Sequence, residues 1–250
     1  MTKKVDNIPR EVFDTSKSRR QKYQDLAVGK PGWLALIRYE LVVTLTSSIP
    51  GALGLFLRSK FYPSLLGHCG RNVFFGPNVT LRHPHKITIG NDVVIDDGCV
   101  LDAKGKSNDG ITIGNGVFLG RHTSVNTKDG NIVLEDGVNI GAFCTVFSAS
   151  QVHCKRNTLI AAYTYLVGGS HDMTSTLTAI VDQERTSSGI TVGANGWIGT
   201  GAIILDGVNI GHDVVIGANS VVTKDVEDYA VTAGSPAVVR RIRQPPTSSN

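Results

Sequence analysis

ITVGANGWIGTGAIILDGVNIGHDVVIGANSVVTKDV, residues 190–226, repeats every six residues. Val192, Ile198, Ile204, Ile210, Ile216 and Val222 fall into one line, and the residues two before them (Ile190, Gly196, Ala202, Val208, Val214, Ser220) are small or mostly apolar. Gly193, Gly199, Gly211 and Gly217 follow four of the six aliphatics. This is neither the alternation of an ordinary strand nor the 3.6 period of a helix. It describes a short strand and a corner, repeated. A corner needs backbone that can enter the left-handed region, which glycine does freely and Asn or Asp tolerate. The pattern is that of a hexapeptide-repeat parallel β-helix.

Working outward, twenty-one hexads can be placed from Cys69 onward, in seven sets of three. Their inward positions are Cys69, Phe75, Leu81; Ile89, Ile95, Leu101; Ile113, Leu119, Val125; Leu134, Ile140, Val146; Cys154, Ile160, Leu166; and the six above. Every insertion falls after the third hexad of a set, so a triangular coil is predicted with two tight corners and one from which loops leave. Seven coils at roughly 4.8 Å each give a prism of about 34 Å. The fold class is therefore all-β, a β-helix of about seven triangular coils with a short N-terminal helical segment.

Four segments follow: a polar basic arm at 1–30, a helical cap or membrane-surface segment at 31–67, the β-helix at 68–226 with a protruding loop at 170–189, and a C-terminal tail at 227–250. Residues 1–30 hold eight Lys or Arg against four acids, and residues 31–66 three against one. The remainder is 14 basic against 16 acidic, so the repeat body is not expected to bind nucleic acid. The arm is expected to be mobile or helical. The apolar runs Trp33–Ile49 and Ala52–Leu66, broken at Pro50-Gly51, fall short of a membrane span. As helices they would cap the open end of the solenoid, where unpaired strand edges need cover. Alternatively they would lie on a membrane surface, helped by the basic arm. The first thirty residues are too polar for a cleavable signal, so a cytoplasmic protein is expected. Cys69, Cys99, Cys144 and Cys154 occupy inward or second small positions without a CxxC pair, and read as buried hydrophobes, not disulfides or metal ligands.

Chemistry belongs on the loop-bearing border. Its longest insertion, between Leu166 and Ile190, opens Gly168-Gly169-Ser170-His171-Asp172 and continues with enough polar residues to stand in solvent. An imidazole there can take a proton from an attacking hydroxyl or amine, typically worth about 10²–10⁴ in rate. His171 is the candidate general base. The pair in Arg82-His83-Pro84-His85-Lys86 reads as a turn, since nothing completes a metal site.

Leu159-Ile160-Ala161-Ala162-Tyr163, Gly168-Gly169-Ser170-His171-Asp172, Trp197-Ile198-Gly199-Thr200-Gly201-Ala202, Gly217-Ala218-Asn219-Ser220-Val221-Val222-Thr223-Lys224-Asp225 and Ala233-Gly234-Ser235-Pro236-Ala237 together resemble the hexapeptide acyltransferase superfamily. The branch they resemble holds the maltose and galactoside O-acetyltransferases and the acetyltransferases of exopolysaccharide synthesis. The resemblance covers roughly residues 69–243. It implies a left-handed β-helix, a homotrimer with sites between subunits, and acetyl-CoA as donor, with no metal. By position it implies His171 as the catalytic base. It places Trp197, Thr200, Gly201, Ala218, Thr223 and Lys224 along the coenzyme groove, and Arg240 and Arg241 in the tail near the adenosine phosphate. Two positions depart from the pattern: Phe143 stands where the galactoside enzymes carry an acceptor-contacting Asn, and Val238 where Lys is common.

The function expected is acetyl-CoA-dependent O-acetylation of a sugar or saccharide hydroxyl in surface polysaccharide biosynthesis. The alternative is N-acetylation of a nucleotide-linked amino sugar. A zinc hydratase of the γ-carbonic anhydrase type would need three converging histidines that these spacings do not supply, and a non-catalytic scaffold would leave the groove motifs as coincidence.

Overall fold

The computed structural model describes residues 3–5, 15–171 and 173–244. Over the repeats it is a parallel β-solenoid with three faces. The first face holds seven strands from His68–Cys69 to Asn209–Ile210, and the third seven from Thr80–Arg82 to Val221–Val222. The second begins at Phe74–Phe75 and counts nine strands. All twenty-one predicted inward residues fall on these strands, and twenty are buried. The exception, Cys69, is half-buried because it sits in the first coil. Registers stack like on like: Val125 lies between Leu101 and Val146. Each such aliphatic contributes about 1.5–3 kcal/mol by leaving water, and the continuous ladder makes one core.

The corners differ from expectation in an instructive way. The left-handed residues stand three places after the inward residue: Asn72, Asp92, Gly116, Gly137, Asn157, Asn195 and Asp213 on the first–second border, and Asn78, Gly98, His122, Phe143, Tyr163, Gly201 and Asn219 on the second–third. The glycine that directly follows an inward residue is there for space. A Cβ on Gly193 would lie 2.3 Å from the carbonyl carbon of Gly211 in the next coil. Close coil stacking, not φ, selects that glycine.

At the N-terminal end the helices Trp33–Thr46 and Gly51–Phe61 pack on the first coil. Arg58, which in sequence interrupts an apolar run, is buried and fastens this cap. Its guanidinium donates to the carbonyls of Phe75 (2.8 Å), Thr46 (3.1 Å) and Ile49 (2.7 Å). Burial holds its pKa below the usual arginine value. Tyr39 and Tyr62 donate to the Leu81 and Val79 carbonyls of the same coil. At the other end, Ala230–Gly234 continues the second face on Val215–Ile216, and Ala237–Ile242 folds back antiparallel. The face therefore runs on past Val226 into an eighth turn.

The basic arm holds more than helix. Beside the capped helix Arg19–Tyr23 and a π-helical turn, Gln24–Val28, it contributes a strand, Lys3–Val5. That strand pairs antiparallel with Arg185–Ser187 in the long loop. No helix among the described residues is long and apolar enough to cross a membrane.

Candidate functional site

The long loop leaves the third face at Tyr165–Gly168. A Cβ on Gly168 would sit 2.5 Å from the Phe147 carbonyl oxygen, so the exit requires glycine. Ser170–His171 then pairs antiparallel with Arg185–Ser187, setting His171 opposite Arg185. The return is clamped to the solenoid. The Asp206 carboxylate accepts from Ser187 Oγ (2.9 Å), Ser188 N (2.8 Å) and Gly189 N (3.0 Å). Ser187, fully buried, also shares a hydroxyl hydrogen bond with Ser150 at 2.7 Å. His171 is thus held on one outer strand of a three-stranded sheet whose middle strand is Arg185–Ser187 and whose other outer strand is Lys3–Val5.

His171 is half-buried, and its Nδ1 is fully covered without a hydrogen-bond partner. The Nε of Arg185 is in the same condition. Buried polar atoms are nearly always paired, and one left open costs about 1–3 kcal/mol. Both residues of this cross-strand pair thus hold a polar nitrogen that is unsatisfied in the hairpin as it stands. Arg185 was not singled out by sequence reading; nothing local distinguishes it, and only the hairpin register brings it to His171.

The other predicted residues are all on the last coils. Trp197 projects from the second face and is exposed, and Thr200, Gly201 and Ala218 lie on the second–third border. Thr223 and Lys224 are exposed just past the third-face strand Val221–Val222. Arg240 and Arg241 are exposed on the C-terminal strand Ala237–Ile242. His171 and Thr223-Lys224 therefore share one border, two coil steps or about 10 Å apart along the prism. Thr200, Gly201 and Ala218 occupy the opposite border of the same face. One chain does not bring these two groups together around His171.

The second–third border also carries a feature hidden in the sequence. His122, Phe143 and Tyr163 stack in successive coils, with centroids 5.1 and 5.3 Å apart, and continue the line that reaches Gly201. The position that departs from the galactoside pattern, Phe143, is the middle ring. His83 is taken up by the arm, while the buried Nδ1 of His85 has no hydrogen-bond partner. The His83 Nε2 donates to the Asp25 carbonyl at 2.8 Å and its backbone N–H to the Ala27 carbonyl, so the turn docks the arm. His153 bonds Glu135 at 2.6 Å. A cleft of about 560 Å³ on the first–second border, lined by Lys155, Arg156, His212 and Asp228, lies away from His171. Among the described residues no three His, Cys, Asp or Glu side chains gather to hold a metal.

A family model described as the hexapeptide repeat of succinyl-transferase matches residues 69–103 and 189–224. The chloramphenicol acetyltransferase of Klebsiella aerogenes is 31% identical over 113 residues, covering 41% of this chain and 50% of that protein. The galactoside O-acetyltransferase of Escherichia coli (strain K12) is 36% identical over 112 residues, covering 37% of this chain and 55% of its own length. The chain thus spans about half the length of these curated relatives. Among solved structures, a mutant of AntD, an N-acyltransferase from Bacillus cereus, in complex with dTDP and coenzyme A, superposes with a TM-score of 0.53 at 20% identity, over 80% of this chain and 92% of that one. At that identity the likeness is one of fold.

Proposed function

We propose that this chain, a member of the hexapeptide-repeat acyltransferase superfamily, transfers an acetyl group from acetyl-CoA to a hydroxyl of a sugar or saccharide, in the making of a surface polysaccharide. The observation that carries the reading is His171, half-buried on a clamped hairpin with an unpartnered Nδ1, opposite Arg185 in the strand register. In this reading the imidazole takes the acceptor's hydroxyl proton as its oxygen attacks the thioester carbonyl. The C–O bond forms, the C–S bond breaks, and the proton leaves with the coenzyme thiolate. Backbone N–H groups would steady the oxyanion.

The donor fits the exposed surface of the last coils. Trp197 offers an apolar wall, and Lys224, Arg240 and Arg241 offer cations for phosphates. Because Thr200, Gly201 and Ala218 lie across the third face from His171, the arrangement calls for a second copy to close the groove. A homotrimer with sites between subunits supplies one. The same base would serve an amine, so an amino sugar is the second acceptor class. A thiol-release screen with acetyl-CoA across sugars, oligosaccharides and nucleotide-linked amino sugars tests the proposal. Turnover with a saccharide hydroxyl is expected; release only with amines would move the assignment to N-acetylation, and none with any acceptor would overturn it.

A further inference from the structure

The cap helices are fastened inward and apolar outward. Their inner sides are occupied by Tyr39, Thr46 and Arg58, each bonded or buried against the first coil or its neighbouring helix. Their outer sides should then be polar, as on any solvent-facing helix. Instead Leu34, Ile37, Leu41 and Leu45 stand exposed in one row along the first helix, Leu34 at 82%, with Leu53 and Phe56 exposed on the second. Exposed apolar rows of this extent mark an interaction surface.

Charge identifies what that surface meets. Residues 15–66 carry eight Lys or Arg (17, 19, 20, 22, 30, 38, 58, 60) against two acids, Asp25 and Glu40, a net +6, while residues 67–250 carry −2. Both acids are engaged, Asp25 with Lys17 and Glu40 with the Tyr23 hydroxyl. Arg19, Lys30, Arg38 and Lys60 are exposed. Trp33, exposed at the start of the first helix, lies 4.3 Å under the Arg20 guanidinium, a pairing suited to a boundary between hydrocarbon and water. Even without the buried Arg58, two copies meeting through this end would oppose like positive charge. An anionic bilayer offers the complement to both the apolar rows and their cations.

We propose that the helices Trp33–Thr46 and Gly51–Phe61 seat the protein in the plane of an anionic lipid surface, with the solenoid standing away from it. The test is flotation of the full chain with vesicles of phosphatidylcholine alone and of phosphatidylcholine with phosphatidylglycerol, at low and high salt, beside light scattering. The wild type is expected to float with the anionic vesicles and to be released from the neutral ones. Leu34→Glu with Leu41→Glu should cut that binding by more than roughly tenfold, and Lys30→Glu with Lys60→Glu by a similar factor, weakening the salt response. Both pairs replace exposed side chains, and circular dichroism checks that the β-solenoid is kept. Three results would overturn the proposal: no flotation with either vesicle, equal flotation with both, or a leucine pair that alters the particle mass while leaving flotation unchanged. The last would assign the rows to a second copy of this chain. None of these readings depends on turnover.

Discussion

His171 faces Arg185 across a two-residue antiparallel ladder, and the Nδ1 of the first and the Nε of the second are both buried with no hydrogen-bond partner. Each unpaired atom is unfavourable by about 1–3 kcal/mol, so the hairpin is held in this conformation at a cost. His171→Ala is expected to lower thiol release from acetyl-CoA by about 10²–10⁴ with a competent acceptor. Particle mass should be unchanged. Arg185→Met should cost less and act mainly on KM. Undiminished turnover in His171→Ala would remove this histidine from the chemistry.

The strand Lys3–Val5 extends the same small sheet, in register Lys3 to Ser187, Lys4 to Thr186 and Val5 to Arg185. An added strand restrains the hairpin that presents His171. Replacing Lys4 by Pro in one variant and Val5 by Pro in a second removes a backbone N–H from each position in turn. At least one is expected to speed amide exchange across Arg185–Ser187 and to lower kcat severalfold, leaving the thermal midpoint of the solenoid in place. Exchange unchanged in both would mean that the strand does not restrain the loop.

His85 titrates against the fold. Burial and the nearby Lys30 lower its pKa to about 4 from the ordinary 6.5, and burial lowers His83 as well. Each binds protons more readily unfolded than folded, so stability is full above about 6.5 and declines as pH falls toward 4. The arm docked on this turn should loosen first. The protection of the Gln24–Val28 amides, taken relative to the intrinsic exchange rate at each pH, is expected to fall through that window, and His85→Gln should flatten the fall. An identical profile in the variant would assign the change to other groups.

Most of the solenoid was legible because its period is local. One inward aliphatic every six residues is a strong signal, and all twenty-one positions fall on strands. The corner glycines were legible by place and misread by cause. Gly193→Ala would press a Cβ against Gly211 at 2.3 Å without any demand on φ. It should cost about 1–3 kcal/mol, as overpacking does, in denaturant unfolding. A cost near zero would return these glycines to a conformational role. What stayed illegible depends on contacts far apart in sequence. Lys3–Val5 meets the loop across some 180 residues, and Arg58 reads as an interruption until the Phe75, Thr46 and Ile49 carbonyls surround it. The ring stack escaped notice because His122, Phe143 and Tyr163 lie about 20 residues apart, at corner positions that usually carry Gly, Asn or Asp.

Lys224, Arg240 and Arg241 are exposed cations on the last turn of the solenoid and the strand that folds back on it. Asp225, next to Lys224, is directed elsewhere: its carboxylate accepts from the Asn209 backbone at 2.7 Å. Asp225 is thus occupied away from its exposed neighbour Lys224. Coenzyme A carries phosphates at one end and the reacting thioester at the other, so cations that hold the phosphates act on binding more than on the chemical step. Lys224→Glu with Arg241→Glu is expected to raise the KM for acetyl-CoA by roughly tenfold or more, with kcat changed far less. Added salt should raise the wild-type KM and leave the variant nearly insensitive, because the attraction it screens is gone. The contrast with His171→Ala, in which kcat falls, separates binding from proton transfer. An unaltered KM in the double variant would place these cations in solvent and require another surface for the phosphates.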